Sequence, residues 1–110
     1  MLLPLLLAAA APLAQSPDGA EWALQTLPLP EGGVIEVSAL TMWREDVVLL
    51  ATRRGEVWSV SGVFDDDPMD CTWRKLMEGL QEPLGVLVED DRSVLMVQRG
   101  ELSRLIDEDG

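Results

Sequence analysis

Hydrophobic and polar positions from residue 34 onward follow the pattern of short β-strands. The runs VVLLA (47–51) and VLMV (94–97) are apolar at consecutive positions, which is typical of a strand covered on both faces. The segment 72–77 (TWRKLM) mixes apolar and polar positions, as expected of an outer strand. Turn residues bound the runs and predict seven strands, at 34–43, 47–53, 56–61, 72–77, 84–89, 93–98 and 101–106.

The strand pattern repeats within the chain. Residues 48–51 align with 94–97, and the Gly-Glu-Val run at Gly55 aligns with Gly-Glu-Leu at Gly100. The spacing is 45 residues at the glycines and 46 at the preceding valines. A period near 45 with four short strands is typical of a propeller blade, whereas helical repeats need apolar spacings of three and four. We therefore predict an all-β, partial β-propeller of about one and a half four-stranded blades; the alternative is a small antiparallel sandwich or meander with two similar hairpins.

Three regions are predicted along the chain. Residues 1–15 are apolar and then small, which is typical of a signal peptide and too short for a membrane span of about 20 residues. No Lys or Arg precedes this run. Residues 16–33 contain three prolines and two adjacent glycines and predict an extended lead-in. Residues 34–110 form the propeller domain, and we expect the protein to be exported, periplasmic or extracellular.

Composition excludes several classes of function. The net charge of −12 opposes binding to nucleic acid or to anionic lipid, so we expect neither as a partner. A single cysteine, Cys71, excludes an internal disulfide. Histidine is absent, which excludes a Ser-His-Asp or Cys-His centre and any imidazole metal site in this chain.

The acidic end of the sequence is the candidate metal site. Asp107 and Asp109, followed by Gly110, have the beginning of a carboxylate loop that offers oxygen ligands to calcium. The alternative is a solvated acidic turn. The run Asp65 to Asp67 precedes Pro68, and we interpret it as a solvated loop because like charges repel one another.

Arginines and tryptophans recur at matching places. Arg53 and Arg54, and later Arg99, fall in hairpin turns, where a long soluble side chain is favoured over a ligand-binding role, and nearby Glu56 and Glu101 can pair with them. Trp43, Trp58 and Trp73 recur every 15 residues. This spacing is open to a sugar-stacking platform, but packing between blades is the favoured interpretation.

Three stretches carry a resemblance to a known family. They are LLATRRGEVWSVSG (49–62), TWRKLMEGLQEPLGVLVED (72–90) and LMVQRGELSRLIDEDG (95–110). Together they resemble the first blade and a half of secreted propeller proteins related to quinoprotein glucose/sorbosone dehydrogenases, of the haem-associated type found in planctomycetes. The Gly-Leu-x-x-Pro-Leu-Gly run at 79–85 and the Arg-Gly-Glu-Leu run at 99–102 are its most distinctive motifs.

The resemblance implies a function for a larger propeller. It implies an amino-terminal fragment of an exported dehydrogenase that oxidises a sugar or polyol with pyrroloquinoline quinone (PQQ), calcium and haem. Because the catalytic base of that group is a histidine, no catalytic residue transfers to this chain, which would be scaffold. The alternative is a non-catalytic propeller module that binds carbohydrate or protein. With an uncovered apolar face and an unpaired strand edge, the chain is expected to self-associate.

Overall fold

The computed structural model describes residues 22–108, and within this range the protein is all-β. A short 3-10 turn, Pro68–Asp70, is the only helical element in that range. The seven strands are β1 (Val37–Arg44), β2 (Val47–Thr52), β3 (Val57–Ser61), β4 (Thr72–Met77), β5 (Gly85–Asp90), β6 (Ser93–Gln98) and β7 (Glu101–Ile106).

The strands form two open antiparallel sheets. The first has the order β1-β2-β3-β4 and the second β5-β6-β7, so each is a simple meander. Such an order arises where successive strands are joined by tight turns, as at Glu45–Asp46 between β1 and β2. Residues 22–108 form these two sheets and no closed ring.

The two sheets share one register, which confirms the internal repeat. The pair Leu40↔Leu50 in the first sheet corresponds to Val86↔Met96 in the second, 46 residues later. The β1–β2 and β5–β6 hairpins also have a register irregularity at equivalent positions, just before Arg44 in the first and just before Asp90 in the second. The chain therefore builds the same three-stranded unit twice, and β4 is added to the first copy.

The sheets pack face to face around one core. Leu49 and Val57 of the first sheet contact Val94 and Met96 of the second, and all four are buried. Burial of such side chains stabilises the pair by about 1.5–3 kcal/mol for each large one. Strand β5 has Cα atoms within 8 Å of β1 and β2, whereas β3 and β4 have none that close to the second sheet. The sheets therefore approach each other most closely at β1, β2 and β5.

The two apolar runs, in β2 and β6, differ in how far they are buried. Residues 49–52 of β2 are buried at every position, as predicted. In β6, Val94 and Met96 are buried but Val97 is 49% exposed. The expectation that 94–97 is covered on both faces is therefore wrong for the described part of the chain, because only the face toward the first sheet has a neighbour.

The connection between the sheets, residues 79–84, is held by both repeated hairpins. The Leu80 amide donates to the Gly55 carbonyl (3.0 Å), and the Arg99 amide donates to Gln81 (2.8 Å). Gly55 has φ +94°, and a Cβ there would lie 2.1 Å from the Leu80 carbonyl oxygen. Only glycine fits this position, both for its backbone angle and for its space.

Residues 22–33, the described part of the predicted lead-in, contain no strand. The Trp73 indole N–H donates to the Pro28 carbonyl (2.8 Å), which ties the lead-in to β4. The first strand begins at Val37, where pairing with β2 begins, rather than at the predicted residue 34. Residues 16–21 of the predicted lead-in and the predicted signal peptide, 1–15, lie outside the described residues.

Candidate functional site: the cleft between the sheets

A cleft of about 530 Å³ lies where the two sheets diverge. One wall is formed by β3 and β4 of the first sheet, and the other by the end of β7 and the following residues. Its floor includes the core residues Leu49 and Val94. A concave surface with an apolar floor and polar walls is the usual form of a small-molecule site.

The wall from the first sheet is polar. Ser59 pairs with Arg74 across β3 and β4, and Ser61 pairs with Thr72. Directly paired residues share a sheet face, and all four line the cleft. Within residues 22–108, Arg74 has neither an ion-pair nor a hydrogen-bond partner, so its guanidinium and the three hydroxyls are available to a ligand.

The opposite wall is closed by an electrostatic latch, which we define as Arg44, Arg92 and Asp107. Arg44 Nη2 lies 2.8 Å from Asp107 Oδ2, and Arg44 Nε donates to the Asp91 carbonyl (2.9 Å). Arg92 donates through Nε (3.1 Å) and Nη2 (2.9 Å) to the Asp107 carbonyl. The latch therefore joins the end of β1, the β5–β6 turn and the residue after β7. Hydrogen bonds to charged groups of this kind are stronger than neutral ones.

Trp43 lies beneath the latch. The Arg44 guanidinium carbon is 3.8 Å from the centre of the Trp43 ring, a cation–π contact. Trp43 also packs against the core. Its indole N–H is buried and has no hydrogen-bond partner within the described part of the chain, which is a cost that the surrounding packing must offset.

Asp107 of the predicted calcium loop is thus engaged in the latch. One carboxylate oxygen binds Arg44 and the backbone carbonyl binds Arg92. Asp109 lies outside the described residues. Within the described range, no three Asp, Glu, Cys or His side chains cluster as metal ligands, and a calcium site at Asp107 and Asp109 stays a prediction.

The turn arginines pair with partners other than those expected. Arg53 and Arg54 approach Glu36, at 3.9 and 3.8 Å, and Arg99 binds Glu82. Among the described residues, no ion pair joins these arginines to Glu56 or Glu101, although the charge of Arg54 helps to lower the pKa of Glu56. Glu36 and Glu82 precede β1 and β5, so in each unit a turn arginine binds the segment that leads into the first strand.

Glu56 instead belongs to a cluster with two tryptophans. It accepts the Trp58 indole N–H (3.0 Å) and pairs with Lys75 (3.2 Å). The Trp58 hydrogen bond, followed by Lys75, lowers the pKa of Glu56 below its ordinary value of 4.5. Trp73 packs edge to face on Trp58, with ring centres 5.9 Å apart.

The tryptophans do not form a common platform. Trp58 pairs with Leu50 and Trp73 with Val60, on the face of the first sheet that points away from the second. Trp43 packs instead against the core between the sheets. Trp43 thus occupies the position that packing between the sheets predicts, whereas Trp58 and Trp73 pack against each other on the outer face of the first sheet.

The acidic run lies on the surface, as predicted. Asp65 to Asp67 are exposed in the loop between β3 and β4. The Asp67 carboxylate accepts the Met69 amide (3.2 Å) and caps the 3-10 turn. Its structural role is therefore local.

Sequence reasoning missed most of the cleft. Arg44, Arg74 and Arg92 were not singled out, nor were the serines of β3. The available signal was the alternation Ser59, Ser61 in β3, which places two hydroxyls on one face.

No family model, curated protein or solved structure matches the chain. Over the described range, the structure contains no helix with the length and apolar character needed to cross a membrane.

Proposed function

We propose that this chain forms two successive blades of an exported β-propeller and acts as scaffold without catalytic residues of its own. The supporting observations are two sheets with one register, their closest approach at β1 and β5, and the cleft between β3–β4 and the end of β7. Blades radiate from an axis in this way. In an aligned sandwich the sheets instead stay about 10 Å apart along their whole width.

Spin labels test the blade arrangement. In a Cys71→Ser background, one variant carries labels at Val37 and Leu84, near the first strands, and a second carries them at Met77 and Leu102, near the last. The blade arrangement gives a shorter distance for the first pair than for the second. A distance between the second pair that is no longer than that between the first would reject the blades.

For the larger protein, we propose oxidation of a sugar or polyol, on the strength of the resemblance in residues 49–110. The residues in hand do not fit the implied cofactors. The sequence has no histidine to act as the base and no Cys-x-x-Cys-His haem motif, and the described carboxylates form no calcium cluster. We therefore assign no catalytic step to this chain.

A cofactor-loaded assay tests the scaffold role. The purified chain is incubated with PQQ and calcium, a panel of sugars and polyols, and an artificial electron acceptor. We expect acceptor reduction no faster than with PQQ and calcium alone. Reduction that depends on both the chain and one sugar would overturn the scaffold proposal.

The cleft favours a second candidate, a non-catalytic module that binds carbohydrate. Three hydroxyls and Arg74, which has no ion-pair partner among residues 22–108, provide donors and acceptors for sugar hydroxyls on one wall above an apolar floor. Titration with neutral and acidic sugars, followed by amide chemical shifts, tests this role. Binding should weaken in Arg74→Met and persist in Arg53→Met, which changes an arginine outside the cleft; shifts outside the cleft would contradict it.

A further inference from the structure

Each sheet has an outer face that carries exposed apolar side chains, although Leu50 and Val60 on the first of these faces are buried beside Trp58 and Trp73. The first outer face consists of Leu40, Met42 and Val48 of the first sheet, and Leu40 is 63% exposed. The second outer face consists of Leu87, Val97, Leu102 and Ile106 of the second sheet. Leu87 and Leu102 are 64% and 66% exposed. Contiguous apolar surface of this kind marks an interaction site.

The repeat relates both outer faces to the interface already present inside the chain. The residues of the first outer face have equivalents 46 positions later in the sequence, namely Val86, Val88 and Val94. These equivalents form the second sheet's side of the internal interface. Ala51 and Val57 lie on the first sheet's side of the internal interface. Their equivalents in the second repeat are Val97 and Leu102, which lie on the second outer face. The two outer faces are therefore equivalent, by the repeat, to the two surfaces that pack against each other between the sheets of this chain.

We propose that a second copy of this chain packs its first outer face on the second outer face, and so repeats the internal interface between chains. The proposal rests on the blade arrangement proposed above. Because the two faces differ, the contact is head-to-tail, and it closes into a ring if the rotation between sheets allows. Propellers have about four to eight blades, so a ring of two-sheet chains contains about two to four copies.

Charges on the two faces are compensated locally. On the second outer face, Arg104 binds Glu89 through two hydrogen bonds of 2.7 and 3.0 Å. Beside the first outer face, Lys75 binds Glu56 and Glu78, at 3.2 and 3.0 Å. Neither face therefore brings an unpaired charge into the contact. The net charge of −12 still repels at long range, so we expect added salt to strengthen association.

Surface variants and sedimentation velocity test the proposal on the full chain. Leu102→Arg alters the second outer face and Leu40→Arg the first. Phe64→Arg is the matched control, because Phe64 is 61% exposed but lies in the loop between β3 and β4. All three positions are exposed, so circular dichroism should show an unchanged fold. An arginine buried without a partner should raise the dissociation constant about a hundredfold or more.

Mixing the variants identifies the orientation of the contact. Leu102→Arg and Leu40→Arg should each be monomeric alone. Together they should form a 1:1 dimer, because one variant keeps an intact first outer face and the other an intact second outer face. Wild type and Phe64→Arg should associate equally and more strongly as salt is added.

Three outcomes would overturn the assignment of a second copy. The first is a wild-type chain that stays monomeric at all concentrations and salt levels. The second is association unaffected by either face variant, as contact through residues 1–15 would give. The third is loss of association in only one variant, as a symmetric dimer through a single face requires. The spin-label distances in a monomeric variant would still report on the blades, so failure of this proposal and failure of the blade arrangement are distinguishable.

Discussion

Gly55 offers the sharpest test of how the two sheets are joined. It has φ +94°, and its added Cβ would lie 2.1 Å from the Leu80 carbonyl oxygen, in the segment that connects the sheets. Gly100 occupies the corresponding turn with φ +84°, but nothing lies within 4 Å of its Cβ position. Alanine is strained by the positive φ angle at either position, whereas only alanine at position 55 also displaces the backbone of Leu80.

The expected costs follow from these two differences. A non-glycine residue in the left-handed region costs about 1–2 kcal/mol, and this is the whole effect expected for Gly100→Ala. Displacing backbone at a packed contact adds about 1–3 kcal/mol. Loss of the hydrogen bond from the Leu80 amide to Gly55 adds about 1 kcal/mol. Gly55→Ala should therefore lower the free energy of unfolding by about 3–6 kcal/mol.

Urea unfolding followed by tryptophan fluorescence measures both variants. They are compared at one protein concentration so that association affects both alike. The midpoint should fall much further for Gly55→Ala, with an unchanged dependence on urea. Equal losses in the two variants would refute the argument, because they would mean that residues 79–84 do not press against the first repeated turn.

Three further predictions concern single contacts. A double-mutant cycle of Arg44→Met and Asp107→Asn should give a coupling energy of about 1 kcal/mol for this partly exposed pair. Each variant should also show faster amide hydrogen exchange at the end of β7. A coupling energy of zero would contradict the latch. Because the pKa of Glu56 is lowered in the folded state, its ionised carboxylate stabilises the fold fully above about pH 4.5, and this stabilisation is lost as the pH falls through the folded pKa. The free energy of unfolding should therefore fall less steeply with decreasing pH in Glu56→Gln than in wild type. An identical pH profile would refute the Trp58 hydrogen bond. Calcium should leave the melting temperature unchanged while Asp107 is paired with Arg44, whereas a rise abolished by Asp107→Asn would support the calcium loop.

The strands were predictable because each is short, apolar and bounded by turn residues. Six of the seven begin within one residue of the predicted position, and only β1 differs more, since nothing pairs with Val34. The repeat was visible because the same turn glycine, Gly55 and Gly100, follows a similar apolar run in each unit. Periodicity carries this information without any knowledge of how the sheets pack.

The cleft was less predictable because it depends on distances between sheets. Arg44 and Asp107 are 63 residues apart in sequence, and their pairing depends on how closely the last residues of β7 approach β1. The ion-pair partners of Arg53 and Arg99 were unpredictable for the same reason. Sequence proximity favoured Glu56 and Glu101, but the fold brings in glutamates from the segments before β1 and β5. Ion-pair partners are set by tertiary structure, whereas turn positions are set locally.

The exposed side of β6 connects the sequence pattern to the proposed assembly. A strand with one solvated face normally alternates apolar and polar residues, yet Leu95 and Val97 are as apolar as the buried Val94 and Met96. Their counterparts in the first unit, Leu49 and Ala51, are completely buried by the second sheet. The composition of β6 is therefore that of a strand covered on both faces, and a second copy seated on the second outer face gives it the surroundings that β2 already has.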